Sequence, residues 1–277
     1  SDVLDIMAGQ GQFAAIMPKE QIESATAEGG VPEIIGTGPF KFEEWAQDQY
    51  IHLSKFDDYQ AVDDEPSGLS GKKEALVDDV YFRFVSDTST RLAGVQTGEY
   101  DIADLMPHDQ YEQLSNMENV ETHLAFDEGT HTLFFNKKAG LMADEKMRQA
   151  VNAALDNDAI LLSSYASEDL YKLDSNYMNP IQVDWATDAG SESYNQNDPE
   201  KAKQLLEEAG YNGETLVLIT SRDYDHHYNA AVVVQEQLEQ IGMDIELEVY
   251  DWPTYTERRE DPELWDMITI GLGYSST

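Results

Sequence analysis

Between Glu214 and Trp252 the spacing of apolar residues changes period twice, and this change limits the fold more than any other feature of the chain. "ETLVLITS" is a dense apolar run of strand type, "HHYNAAVVVQEQLEQIG" carries apolar residues at helical spacing and stops on a glycine, and "MDIELEVYDW" alternates as a strand again. Strand, helix and strand in that order make a βαβ unit, whose two strands run parallel because a long crossover joins them. The fold class that follows is α/β.

The elements on either side extend the pattern. "NDPEKAKQLLEEAGY" has Asp198 at a helix cap, Pro199 in the first turn, Ala202, Leu205, Leu206 and Ala209 on one face, and Gly210 at the stop. "MADEKMRQAVNAALDNDAIL" sets Met147, Ala150, Val151, Ala154 and Leu155 on a single helical stripe. "WDMITIGLGY" reads as a final strand.

In the first half, "YIHLSKF" and "LVDDVYFRFV" alternate as strands around the turn-rich "DEPSGLSGKKE". Ser89 or Thr90 is expected to cap a helix through Leu92, Ala93 and Val95 that ends at Gly98. "EYDIADL" is expected as a short strand, "HDQYEQLSNM" as a short helix, and "NVETHLAF" and "THTLFFN" as strands flanking Gly129. Two regions of α/β texture meet near residues 124–136, which divides the chain into lobes at 1–128 and 129–277.

Charge excludes whole classes of partner. With 55 acidic against 17 basic side chains the net charge is −38, and binding to nucleic-acid phosphates needs clustered Lys and Arg. A hydrophobic fraction of 41% still supplies a real core. The acids are spread along the chain rather than gathered in a tail, as on an ordinary fold from a salt-loving organism. Self-repulsion of this size destabilises the compact state in dilute salt. At molar salt the screening length falls to about 3 Å and most of the repulsion disappears. No apolar run reaches the length of a membrane span, and "SDVLDIMAGQGQF" lacks the regions of a signal peptide. The chain is therefore either cytosolic or already separated from its targeting segment. With no cysteine there are no disulfides or thiolate metal sites.

Motifs for catalysis fail one by one. "GTGPF" (36–40) lacks the Gly-Lys-Ser/Thr end of a phosphate loop, and "GYSST" (273–277) is not a nucleophile elbow. These glycines read as turns that need unusual φ. His226 and His227 are adjacent and point about a hundred degrees apart on a helix, so they do not chelate as an i, i+4 pair does. "DNDAI" lacks the fifth-position ligand and the glycine of a calcium loop. Acidic pairs such as Asp78–Asp79 and Glu207–Glu208 read as solvated surface. No catalytic residue, metal site or cofactor is expected.

One residue stands apart. Arg222 directly follows the strand "LVLIT", where open α/β sheets bind ligands. It is one of only six arginines, and its planar fork suits a carboxylate. Tyr224 lies two residues on. By the motif alone, an ion pair with one of the many surface acids accounts for Arg222 better.

Five stretches change that balance: "IIGTGPFKFEEW", "STRLAGVQTGEYDIAD", "LFFNKKAGLMADEKMRQAVNAALD", "YNQNDPEKAKQLLEEAGY" and "VVQEQLEQIGMDIELEVYDWPTYTER". In order and spacing, over nearly the whole chain, they resemble the extracytoplasmic solute-binding proteins of ABC importers, the oligopeptide/dipeptide/nickel-binding family (family 5). The resemblance implies a two-lobed, periplasmic-binding-protein-like fold (type II, peptide-binding cluster), here truncated at both ends. It also implies a hinge crossing near "HLAFDEGTHTLFFN" and places Asn136 where the second lobe starts. "GTGPF" becomes a corner of the first lobe.

In dipeptide binders of that family an Arg in an R-x-Y sequence grips the peptide carboxylate, and Arg222 and Tyr224 match it. The Asp that holds the peptide amine after a Gly-Trp pair is not matched, since Leu272 and Ser275 stand there. The implied function is non-enzymatic: capture of a peptide or similar small solute and delivery to ABC permease subunits at the outer face of the cytoplasmic membrane. Membrane association would come only through a lipid or terminal anchor outside this sequence. Ligand-binding candidates are Arg222 as charge clamp, with Tyr224, Tyr274, Phe134, Asn136 and Trp45 around it. A nickel-chelate or sugar binder of the same family, a sensory binding protein, and an acidic hydrolase using cleft carboxylates are the alternatives.

The charge supplies a test. Dialysis from molar salt into dilute buffer should abolish the folded circular dichroism signal; a spectrum unchanged by dialysis would overturn the halophile reading.

Overall fold

The computed structural model describes residues 16–25, 33–66, 70–125, 129–176 and 186–273. Contacts divide the chain into two units, the first running through Arg91 and the second from Leu92 to Ser276.

After a short helix α1 (Lys19–Glu23), the first unit is built on three antiparallel strands, β1 (Phe40–Ala46), β2 (Tyr50–Lys55) and β3 (Asp79–Arg83), in the order β1-β2-β3. The alternation of "YIHLSKF" sorts their faces. Trp45, Ile51 and Phe82 form one cross-strand row, and Phe42, Leu53 and Val80 another on the same side. The opposite face carries His52, which stacks on Tyr81 at 4.2 Å and reaches Asp79 Oδ1 at 2.7 Å. "GTGPF" is the corner that feeds β1, where the Pro39 carbonyl accepts from the Phe56 amide at 2.9 Å. Gly36 and Gly38 do not adopt positive φ, contrary to the sequence expectation; a Cβ at either would meet open space.

Helix α2 (Thr88–Thr97) is capped by Asp87 rather than by Ser89 or Thr90: Asp87 Oδ1 accepts from the Thr90 amide and hydroxyl at 2.7 Å. It ends at Gly98 as expected, with φ +74°. The expected strand at "EYDIADL" is absent. Glu99 and Tyr100 donate their amides back to the Gly94 carbonyl, at 2.8 and 3.1 Å, and so have none left for a ladder. The Tyr100 ring then fills the place a Cβ of Gly94 would take. "HDQYEQLSNM" gives a 3-10 turn (His108–Gln110) and α3 (Tyr111–Ser115). Residues 119–125 of "NVETHLAF" form no strand, and its end lies outside the described residues.

The second sheet joins β4 (Gly129–Phe135), β5 (Thr215–Ser221), β6 (Asp244–Tyr250) and β7 (Met267–Gly273) in the order β4-β7-β5-β6. β5 pairs parallel with both β6 and β7, so the βαβ unit forms as read, with α7 (Asp225–Gln240) as its crossover; β4 is antiparallel to β7. Helices α4 (Glu145–Ala154), α5 (Asn157–Tyr165), α6 (Pro199–Ala209) and α7 supply the main core against one face, with Met142, Met147, Val151, Leu218 and Leu238 nearly inaccessible. Helix α8 (Trp252–Arg258) packs Tyr255 on the other face with Ile219, Ile268 and Ile270.

The stripe Met147, Ala150, Val151, Ala154 and Leu155 is buried throughout, but it is not one helix. Leu155 is extended and ends α4, and Asp156 caps α5 by accepting from the Ala159 amide. Asp198, Pro199 and Gly210 bound α6 as the sequence indicates.

Asn136 ties β4 to the start of β7. Its Nδ2 donates to the Pro262 and Trp265 carbonyls at 2.6 and 2.8 Å, its Oδ1 accepts from the Lys138 and Ala139 amides, and its own amide donates to the Asp266 carbonyl. Asn136→Ala strands several backbone groups and should cost about 2–3 kcal/mol. Chemical denaturation should register that loss as a lower midpoint at unchanged slope; a midpoint identical to the parent's would refute this role.

Candidate functional site

Because β5, β6 and β7 are parallel, their carboxyl ends at Ser221, Tyr250 and Gly273 share one edge, together with the amino end of β4. Helices α7 and α8 start at that edge, directly after β5 and β6. This is where open α/β sheets leave a crevice for ligands.

Arg222 is the first residue past β5. Its amide donates to the Tyr250 carbonyl at 3.3 Å and so prolongs the β5–β6 ladder by one bond. Its guanidinium lies 4.4 Å over the Tyr228 ring, one turn into α7, a cation–π contact that orients the fork without neutralising it. The side chain is exposed and forms no ion pair with any described carboxylate. Nearby acids are engaged elsewhere: Asp223 Oδ2 accepts from the Trp252 amide at 2.7 Å, and Asp225 acts on His108.

Tyr224 precedes α7, with its ring 4.8 Å from Trp252 and 5.2 Å from His227. Around it the fold gathers imidazoles that are far apart in sequence. His226 and His227 touch edge to face at 4.3 Å. His131 of β4 lies 5.7 and 5.4 Å from them, and His108 lies 5.8 Å from His226. Tyr165, at the end of α5, stands 4.8 Å from His108 and 5.8 Å from His226. Four of the six histidines thus form one cluster.

Burial keeps these rings uncharged. His131 is pushed down to about 3 by burial and then by His227. His226 falls to about 2, through burial and then His227, His131 and His108. Burial alone takes His227 to about 4. It also lowers His108, against the pull of Asp225 and Asp109. Both nitrogens of His131 and Nδ1 of His227 are buried with no hydrogen-bond partner. No group of three His, Asp or Glu among the described residues is placed to hold a metal ion.

The other sequence candidates are dispersed. Asn136 has both donors and both acceptor directions committed to backbone, so it fixes the chain instead of facing solvent. Phe134 pairs with Ile268 on the sheet face opposite His131 and is 38% exposed. Trp45 belongs to the first unit, on β1, and is 61% exposed. Tyr274, like Ser275 and most of "GYSST", lies outside the described residues. The histidine cluster is not legible in the sequence because its members come from three separate segments. Only the "HH" just past a strand's carboxyl end carried a local signal.

Comparison with known proteins identifies the fold and the family. Residues 5–277 match the family described as bacterial extracellular solute-binding proteins, family 5 Middle. The chain is 29% identical over 256 residues to the oligopeptide-binding protein AppA of Bacillus subtilis, covering 87% of this chain and 44% of that one. It is 27% identical over 267 residues to the dipeptide-binding protein of Escherichia coli, covering 91% and 46%. Among solved structures it resembles the periplasmic binding protein DppA of Helicobacter pylori in complex with the peptide STSA, at TM-score 0.74 and 28% identity, covering 88% of this chain and 44% of that one. The chain spans about half the length of the curated relatives it matches. It has the α/β fold of these periplasmic binding proteins and belongs to the family 5 extracellular solute-binding proteins.

Proposed function

We propose that this chain is the middle part of a binding protein that captures a carboxylate-bearing peptide, or a similar small solute, outside the cytoplasmic membrane and hands it to the permease subunits of an ABC importer. It binds without catalysis. The observation that carries the ligand class is Arg222. In a chain of 55 acidic and 17 basic side chains, this arginine sits exposed at the carboxyl end of a parallel strand, stacked on Tyr228 and free of any described acid. A guanidinium so placed offers both arms of its fork to an incoming carboxylate. Relatives named as oligopeptide- and dipeptide-binding proteins, and the peptide held by the Helicobacter pylori protein, support a peptide as that ligand.

Lobes at 1–128 and 129–277, hinged near 124–136, would close on the ligand, which holds the closed state through contacts on both sides. Tyr224 serves as a wall beside Arg222. The protein acts at the outer cell surface, held by a lipid or terminal anchor, and its acidic surface suits a halophilic archaeon.

At high salt, short peptides at a hundred times Kd should stabilise the full-length protein by about 2.7 kcal/mol, read as a rise in Tm of several degrees. Arg222→Ala should remove that rise, and Arg222→Lys should restore only part of it. If no peptide mixture raises Tm, the peptide reading falls.

A further inference from the structure

His227 is held to β7 twice. Its backbone carbonyl accepts from Thr269 Oγ1 at 3.1 Å, and its ring Nε2 accepts from the Gly271 amide at 2.9 Å. The second bond decides the ring's protonation. A nitrogen that accepts from an N–H carries no proton, so Nε2 is bare and the single proton of the neutral ring sits on Nδ1. Protonating Nε2 would set two donors against each other and break the bond.

Position 271 is shaped for this contact. A Cβ there would lie 3.3 Å from Nε2, so glycine lets the ring come down onto the strand. Gly271 is also the cross-strand partner of His131, which places three uncharged groups together on one face. The ring lies beside Tyr224 in the first turn of α7, five residues after Arg222, and therefore bears on where the arm 222–228 stands relative to the end of β7.

We propose that His227 is a positioning residue whose ring latches the Arg222–Tyr224 arm to Gly271 of β7 only while the imidazole is neutral, so that acidification removes this one tether and loosens an arm still held by the Thr269, Tyr250 and Trp252 bonds. That the loosened arm meets ligand rests on the function proposed above; the latch itself does not.

The groups facing the ring are His131 from β4, Tyr224 and His226 beside it, and Trp252 from α8. Beyond His226 stand Tyr165 and His108, the latter with Asp109 and Asp225 as the nearest carboxylates. None of the groups touching His227 is an anion that would welcome its charge. The sign follows. The folded value lies below the ordinary 6.5, at about 4. The neutral latch is complete at pH 7, its contribution to stability declines once pH falls below 6.5, and the bond itself opens in the folded protein near pH 4.

Nitrogen NMR of the full chain, with glycine and histidine labelled, tests this at high salt. At pH 7, His227 should show a protonated Nδ1 and a bare Nε2; a protonated Nε2 would overturn the proposal in the wild-type protein without any variant. On acidification the Gly271 amide resonance should shift with a midpoint near pH 4. In His227→Gln the amide oxygen replaces the acceptor and does not titrate, so the Gly271 shift should vanish. If the shift persists in that variant, another titrating group causes it and the latch is refuted. Between about pH 6 and pH 4, above the range where a peptide carboxylate protonates, peptide affinity should begin to fall in the wild type and stay level in His227→Gln; equal profiles in the two would remove the link between latch and binding. A titrating Gly271 with no peptide binding at any pH would uphold the latch and remove only the binding reading.

Discussion

The second sheet depends on one half-buried carboxylate. Asp266 accepts the Val217 amide on its side chain at 2.8 Å, donates its own amide to the Val217 carbonyl at 2.9 Å, and accepts the Asn136 amide on its carbonyl. Three strands from distant parts of the sequence are thereby set in register at one residue. The parallel pairing of β5 with β7 is short, with Leu218 opposite Met267 and Ile219 opposite Ile268, so these bonds carry much of its definition. A slip of one residue would turn every side chain of β7 to the other face. Gly271 and Thr269 would then leave His227, and the edge that gathers Arg222 and the histidines would not exist. Burial raises the Asp266 pKa while the Val217 amide opposes it, which is the tension expected of a carboxylate kept inside to hold backbone.

Elements with local signals were legible in the sequence. The βαβ unit, the Asp198–Pro199–Gly210 helix and the burial of Met147, Ala150, Val151 and Ala154 follow from period and capping chemistry alone. The failures came where tertiary contacts overrode pattern. "EYDIADL" alternates like a strand, yet the return of Glu99 and Tyr100 to Gly94 takes its amides. The stripe through Leu155 looks continuous, yet Asp156 offers a cap that competes with one more helical turn. Helix α8 was readable and overlooked, since Asp251 and Pro253 form the same cap-plus-proline signal as Asp198 and Pro199. Of the site, Arg222 and Tyr224 could be placed from the strand before them, because a strand's carboxyl end is a local landmark. Asn136 could not be assigned from its surroundings in sequence, because its partners at Pro262 and Trp265 lie far along the chain. His131 and His108 carry no local mark at all.

The electrostatic design of this edge is the inverse of the rest of the molecule. Elsewhere carboxylates crowd the surface and keep it solvated, at the cost of mutual repulsion. At the edge, imidazoles and phenols exclude charge. One guanidinium stands beside them, and the acids nearest in sequence are turned to other partners. A carboxylate approaching a chain of net charge −38 meets long-range repulsion, which high salt screens. At short range it meets one unpaired cation flanked by uncharged rings. Binding of the proposed carboxylate on so acidic a protein would have to come from local desolvation and geometry, because the overall field opposes it.

Toward β7 the arm is pinned by neutral bonds, while the carboxylate it does use, Asp223, is turned to the Trp252 amide. If an acidic side chain held the segment 222–228 to β7, the same carboxylate would compete for Arg222 and fill the place of the proposed ligand. A charged histidine would attract the surface acids to the edge and close it in the same way. The backbone amide of Gly271 avoids both outcomes: it fixes the ring through a bond without net charge and leaves the guanidinium as the single charge on the arm's exposed side that no described acid neutralises. The unpaired nitrogens of His131 and His227 cost some stability in return. Because these rings carry no charge they bring Arg222 no competing counter-ion, which is the condition the proposed carboxylate site requires.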